Sequence, residues 1–104
     1  MEEANESVYH NLAILEMTKL IQSDEIKRKI LDELYNQKEL VKMAEIYKKV
    51  ALTTDVRYST FLAKVNTLER NNLIKKMKIP LAGNRVYLVI SESGKKVVEK
   101  INKE

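Results

Sequence analysis

What the sequence lacks narrows its chemistry first. Its 104 residues include no cysteine, one histidine, two glycines and one proline. Without cysteine there is no disulfide framework and no thiolate zinc site, a composition that fits a cytoplasmic protein. His10 alone assembles neither a Ser/His/Asp nor a Cys/His catalytic set, and it has no clustered metal ligands around it. Two glycines cannot build a phosphate-cradling loop, so any nucleotide hydrolysis would belong to a partner. No apolar run approaches the roughly 18 residues that span a bilayer. The acidic start MEEANES has neither the basic nor the apolar stretch of a signal peptide. These absences leave a binding protein rather than an enzyme, with no cofactor, no metal and no membrane partner expected.

What is present reads as one folded domain over residues 1–104. Hydrophobic residues make up 44% and charged residues 33%, enough apolar content for a real core. The net charge of +4 hides a split. Residues 1–34 hold four Lys/Arg against eight Asp/Glu, whereas residues 35–104 hold fifteen against seven. That asymmetry points to a polyanion partner for the second part, and a plain solvated basic surface is the competing explanation.

The apolar spacing predicts a first helix from about Glu6 to Ile21. Val8, Leu12 and Leu15 form one face; Tyr9, Ala13, Ile14, Met17, Leu20 and Ile21 spread over the other. A surface helix of a small domain buries one arc, so residues 1–22 read as a dimerisation element with a face to spare. Ser23, before Asp24 and Glu25, looks like the N-cap of a second helix with core residues Ile26, Ile30, Leu31 and Leu34, and Asn36 suits its end. A short extended piece at Leu40 and Val41 precedes a helix over Met43 to Val50, followed by a turn, ALTT. The stretch Thr54 to Ile74 then reads as a further helix, N-capped by Thr54 or Asp55, that stops at the pair Asn71-Asn72 and runs straight into a strand. Phe61, Val65 and Leu68 are its buried stripe, with Ser59, Ala63, Asn66, Thr67 and Arg70 opposite. Strands at Ile74–Ile79 and Val86–Ile90 flank turn residues Pro80, Gly83 and Asn84. Ser91 caps a last helix packed by Val97, Val98 and Ile101.

This mainly α order with a small β-hairpin resembles the winged helix-turn-helix class. Two segments carry the resemblance. Thr67-Leu68-Glu69-Arg70-Asn71-Asn72-Leu73-Ile74 looks like the LExxGLI end of such recognition helices, with Asn72 in place of the usual glycine because Asn tolerates a left-handed backbone. Val89-Ile90-Ser91-Glu92-Ser93-Gly94 looks like the LTxxG step into the closing helix. A narrower likeness runs through Asn11-Leu12-Ala13, Thr60-Phe61-Leu62-Ala63-Lys64-Val65-Asn66-Thr67 and Val86-Tyr87-Leu88. There the chain resembles the TubR centromere-binding proteins of tubulin-type (TubZ) plasmid and phage partition systems. That resemblance implies a homodimer on an array of double-stranded DNA repeats, joined to a tubulin-like GTPase and able to repress its own operon. A transcriptional repressor of the MarR, ArsR or PadR type is the alternative, and a winged helix used only for protein interaction is a third.

The resemblance implies that the helix over Thr54–Ile74 enters the major groove, where base edges carry a donor and acceptor code. Asn66 then suits adenine N6 and N7, Ser59, Thr60 and Thr67 offer hydroxyls, and the methyl group of Ala63 suits thymine. Arg57, Lys64 and Lys42 are expected on phosphates, with Lys48 and Lys49 either joining them or simply solvated. Lys76, Lys78, Asn84 and Arg85 belong to the wing, Arg85 being suited to a narrow minor groove. The expected DNA-binding set is therefore Lys42, Thr54, Arg57, Ser59, Thr60, Ala63, Lys64, Asn66, Lys76, Lys78, Asn84 and Arg85. The expected dimer set is Val8, Leu12, Leu15, Leu62 and Ala63, with Leu62 equally suited to core packing and Ala63 shared between the two roles.

Overall fold

The computed structural model describes residues 2–37, 39–80, 83 and 85–103, and their side chains from Asn11 onward. Five helices and three strands follow in the order α1 (Glu2–Gln22), α2 (Glu25–Gln37), β1 (Val41–Lys42), α3 (Met43–Thr54), α4 (Tyr58–Arg70), β2 (Ile74–Ile79), β3 (Arg85–Ile90) and α5 (Glu92–Lys103). The expected hairpin is part of a three-stranded antiparallel sheet of order β1-β3-β2. β3 pairs with β2 from Ile74↔Ile90 to Ile79↔Arg85, and on its other edge with only Val41 and Lys42.

One core unites the elements. Ile30, Leu31 and Leu34 of α2, Ile46 and Val50 of α3, and Phe61, Val65 and Leu68 of α4 meet Leu73, Ile74 and Leu88 of the sheet region and Val97 and Val98 of α5. The period of each apolar stripe therefore matches its element, which is how sequence pattern selects burial. α1 contributes Ile14, Thr18 and Ile21 to the buried interior, and it lies against α5 and α2. The Thr18 hydroxyl is satisfied by donating to the Ile14 carbonyl at 2.7 Å.

Several helix ends differ from the sequence expectation, each for a local reason. The N-cap of α2 is Asp24 rather than Ser23: Asp24 Oδ1 accepts from the Lys27 N–H at 3.1 Å, while Ser23 Oγ turns back to the Leu20 carbonyl. Asn36 does not end α2, which continues through Gln37. The ALTT segment is the last turn of α3, not a turn between helices. Thr54 closes that turn by donating from Oγ1 to the Val50 carbonyl at 2.7 Å, and Asp55 takes the left-handed C-cap position at φ 58°. Thr54 and Asp55 therefore end α3 instead of starting α4.

The expected left-handed Asn72 is present, at φ 62°. It turns the chain from α4 into β2, where L residues other than Asn and Asp are strained. Beyond it, Ser91 joins three segments. Its Oγ donates to the Asn72 carbonyl at 2.6 Å, its N–H donates to the Leu73 carbonyl at 3.0 Å, and its Oγ accepts from the Gly94 N–H at 3.0 Å. Gly94 is required by close approach: a Cβ there would lie 2.2 Å from the Leu73 carbonyl oxygen.

Candidate nucleic-acid interface

α3 and α4 begin in an unusual way. A helix start leaves its first N–H groups without intrahelical partners, and Ser, Thr, Asp or Asn normally satisfies one of them. Here the N-cap residues are Lys42 for α3 and Arg57 for α4, and neither helix has a side-chain cap hydrogen bond. A cation at the positive end of a helix dipole is unfavourable by roughly 0.3–1 kcal/mol. Two such ends side by side form a concentrated positive field suited to an anion.

They do lie side by side. A groove of about 450 Å³ is lined by Lys42, Met43, Ala44, Glu45 and Lys48 from the start of α3, Tyr58 from the start of α4, and Arg85 and Val86 from β3. It exists because β1 is two residues long and stops pairing before β3 reaches Arg85. Met43 and Val86 are its apolar lining, and Lys42, Lys48 and Arg85 outnumber its one carboxylate, Glu45. Lys42, Lys48, Arg57, Lys78 and Arg85 make no ion pair among the described residues, and all but the half-buried Lys42 are exposed.

Tyr58 is the residue that sequence reasoning missed. It is 45% exposed at the head of α4 and rests edge-on against Tyr47, with 5.1 Å between ring centroids. Tyr47 in turn packs on Phe61 and donates its hydroxyl to the Val56 carbonyl at 3.1 Å. Tyr58 lies one turn before Phe61 on the buried stripe, so the signal was there; being at the end of the helix leaves half of it in the groove.

The remaining expected residues divide. Ser59, Thr60, Ala63 and Asn66 are exposed on α4, as is Arg70. Thr67 is half-buried and donates its hydroxyl to the Ala63 carbonyl at 3.0 Å, which occupies it within the helix. Lys64 is not free for a phosphate: its Nζ lies 2.7 Å from Asp24 Oδ2, tying α4 to the cap of α2. Burial alone would raise the Asp24 carboxyl. The Lys64 hydrogen bond, the Lys27 N–H and the charges of both lysines outweigh it and hold the pKa below the ordinary value. Thr54 is half-buried at the end of α3, its hydroxyl on the Val50 carbonyl. Lys76 points from the wing strand to α4, donating to Asn66 Oδ1 at 2.7 Å with Glu69 at 3.6 Å. Asn84 lies outside the described residues.

On the other side of the molecule, α1 keeps an uncovered face. Leu12 is 50% and Leu20 58% exposed, Ala13 is exposed, and Leu15 is half-buried. Leu20 is thus exposed like Leu12, although its spacing set it on the opposite face from Leu12. The side chain of Val8 lies outside the described residues. Leu62 is half-buried against the core, the packing alternative to its expected interface role. No described helix is long and apolar enough to cross a membrane.

No protein-family model matches the chain, and no curated protein matches it in sequence. Solved structures do match. MepR, a transcription regulator of the Staphylococcus aureus multidrug efflux pump MepA, is similar over 99% of this chain and 74% of its own, with 23% identity and a TM-score of 0.66. The S. aureus MepR–DNA complex is similar over 98% and 77%, with 21% identity and a TM-score of 0.68. A mutant MepR from a multidrug-resistant clinical isolate is similar over 100% and 75%, with 20% identity and a TM-score of 0.70. At such identities the likeness is one of architecture, and it agrees with the mainly helical element order and the small three-stranded sheet: the chain has a winged helix-turn-helix fold.

Proposed function

We propose that this protein is a homodimeric, sequence-specific double-stranded DNA-binding protein that regulates transcription in the manner of a MarR-type repressor. The observation that carries the reading is the pair of basic, uncapped helix starts at Lys42 and Arg57: Lys42 and Tyr58, the residue after Arg57, line one groove with Lys48 and Arg85. Phosphate oxygens would satisfy the free N–H groups and neutralise the cations together. The exposed Ser59, Thr60, Ala63 and Asn66 then face base edges, and Lys78 and Arg85 follow the backbone along the wing. The likeness to MepR, crystallised with DNA, supports the same use of the fold. The open face of α1 with Leu12 and Leu20 suits a second copy, which would place two α4 helices on a symmetric site.

A salt titration with duplex DNA tests the reading. If Lys42, Lys48, Arg57, Lys78 and Arg85 each neutralise a phosphate, log K falls against log salt with a slope of about −4 to −5 per protomer. A slope near zero would refute it.

The partition reading keeps one observation in its favour, the likeness of Thr60–Thr67 to the TubR recognition helix. Iterated binding sites and co-sedimentation with a tubulin-like GTPase would favour it. A single palindromic operator would favour the repressor.

A further inference from the structure

We infer that Lys76 is a positioning residue that turns Asn66 away from adenine and toward guanine. The inference rests on the DNA-binding reading above and adds a base preference to it. Lys76 lies in β2 opposite Leu88, on the sheet face that also carries the buried Ile74. From there its ammonium reaches α4, 2.7 Å from Asn66 Oδ1 and 3.6 Å from Glu69 Oε1. A lysine has three donors and no acceptor, so the amide oxygen of Asn66, not its nitrogen, must face it. The amide nitrogen is left toward the exposed surface of α4.

An asparagine reads adenine by accepting from N6 with Oδ1 while donating to N7 with Nδ2. Here an arriving N6 amino group would have to share Oδ1 with an ammonium, bringing donor against donor. Guanine offers O6 and N7, two acceptors, to the same edge. The Asn66 amino group and the remaining N–H donors of Lys76 both favour them. Together the two side chains present several donors and a single remaining lone pair of Oδ1 beside an ammonium, so a helix whose sequence suggests an adenine reader becomes one that favours acceptor edges.

Binding-site selection from randomised duplexes tests this with the full chain, Asn66→Ala, Lys76→Met and Glu69→Gln. Asn66→Ala should lose its preference at one position, where the wild type selects guanine over adenine on the order of tenfold. Lys76→Met should move that position toward adenine, because Oδ1 is released. Glu69→Gln, which removes the carboxylate beside Lys76 but not its bond to Asn66, should keep guanine. With wild-type protein alone, replacing that guanine by 7-deazaguanine should weaken binding several-fold, a measurement independent of how any variant folds. Adenine at that position in the wild type, an unchanged preference in Lys76→Met, indifference to 7-deazaguanine, or no position altered by Asn66→Ala would each overturn the inference while duplex binding persists. Failure of the wild type to retain any duplex would instead overturn the DNA-binding reading itself.

Discussion

Lys64 and Arg57 are seven residues apart on the same chain segment, yet one is paired with Asp24 and the other is exposed, so the proposed DNA-binding function makes opposite predictions for their removal. Lys64 approaches Asp24 at 2.7 Å, with the two side chains 32% and 19% exposed. A hydrogen bond between charged groups contributes about 1.5–3 kcal/mol when buried, and a fully exposed pair about 0.2–1 kcal/mol. This pair lies between those limits. Removal of Lys64 leaves Asp24 its bond to the Lys27 N–H, so the carboxylate is weakened but not orphaned. Lys64→Met should therefore cost about 1–2 kcal/mol. For a domain of this size that lowers Tm by roughly 5–12 °C. Its salt slope on duplex DNA should stay that of the wild type. Arg57→Gln should do the reverse: Tm moves by no more than about 1 °C, since an exposed cation at a helix N-cap is not stabilising. The slope then falls in magnitude by about 0.9 per protomer. Calorimetry and fluorescence anisotropy on the same preparations give both readings. A Lys64→Met variant with unchanged Tm and a slope reduced by about 0.9 would refute the reasoning.

Gly94→Ala should destabilise by about 1–3 kcal/mol although alanine is the better helix former, because its Cβ meets the fixed Leu73 carbonyl; chemical denaturation should show a lower midpoint at unchanged slope. The lowered Asp24 pKa means the folded state binds fewer protons there than the unfolded chain, so its contribution is full above about pH 4 and lost as pH falls further. Lys64→Met should flatten that acid limb in a pH series of melting curves. Asp32 has the opposite sign: burial raises its carboxyl, Arg28 offsets this in part and Glu33 adds to it, so its ionisation penalises the fold as pH rises through the carboxylate range. Asp32→Asn should accordingly raise Tm at neutral pH and have little effect below about pH 4. Leu12→Glu with Leu20→Glu should leave the monomer folded and abolish dimers in sedimentation, since both side chains are half exposed; retained dimers would place the interface elsewhere.

The parts of this fold that could be read from the sequence are those governed by neighbours in the chain. The stripe of Phe61, Val65 and Leu68 follows from helical period alone, the left-handed Asn72 from the intrinsic tolerance of asparagine, and the Ser91 cap from its hydroxyl before an acidic helix start. Local chemistry also misled. Thr54-Asp55 has the composition of an N-cap, but Asn and Asp equally suit a left-handed C-cap, and only the packing of Val56 and Tyr47 decides between them. The candidate site depended on distant pairings that no period reports. Asp24 and Lys64 are 40 residues apart, and Lys76 meets Asn66 across the strand-to-helix crossing. The two residues of β1 are too few to announce a strand, yet their early end opens the groove beside Arg85.

The junction at Ser91 has a mechanical consequence. One hydroxyl and one N–H bind the outgoing end of α4, while the bare Gly94 backbone presses on Leu73 with no side chain between them to yield. Close-packed contacts of this kind transmit displacement rather than absorb it. α5 also lies along α1, so if the proposed dimer forms through α1, a shift in how two copies sit together would reach α4 as a tilt, through a hinge with no slack in it.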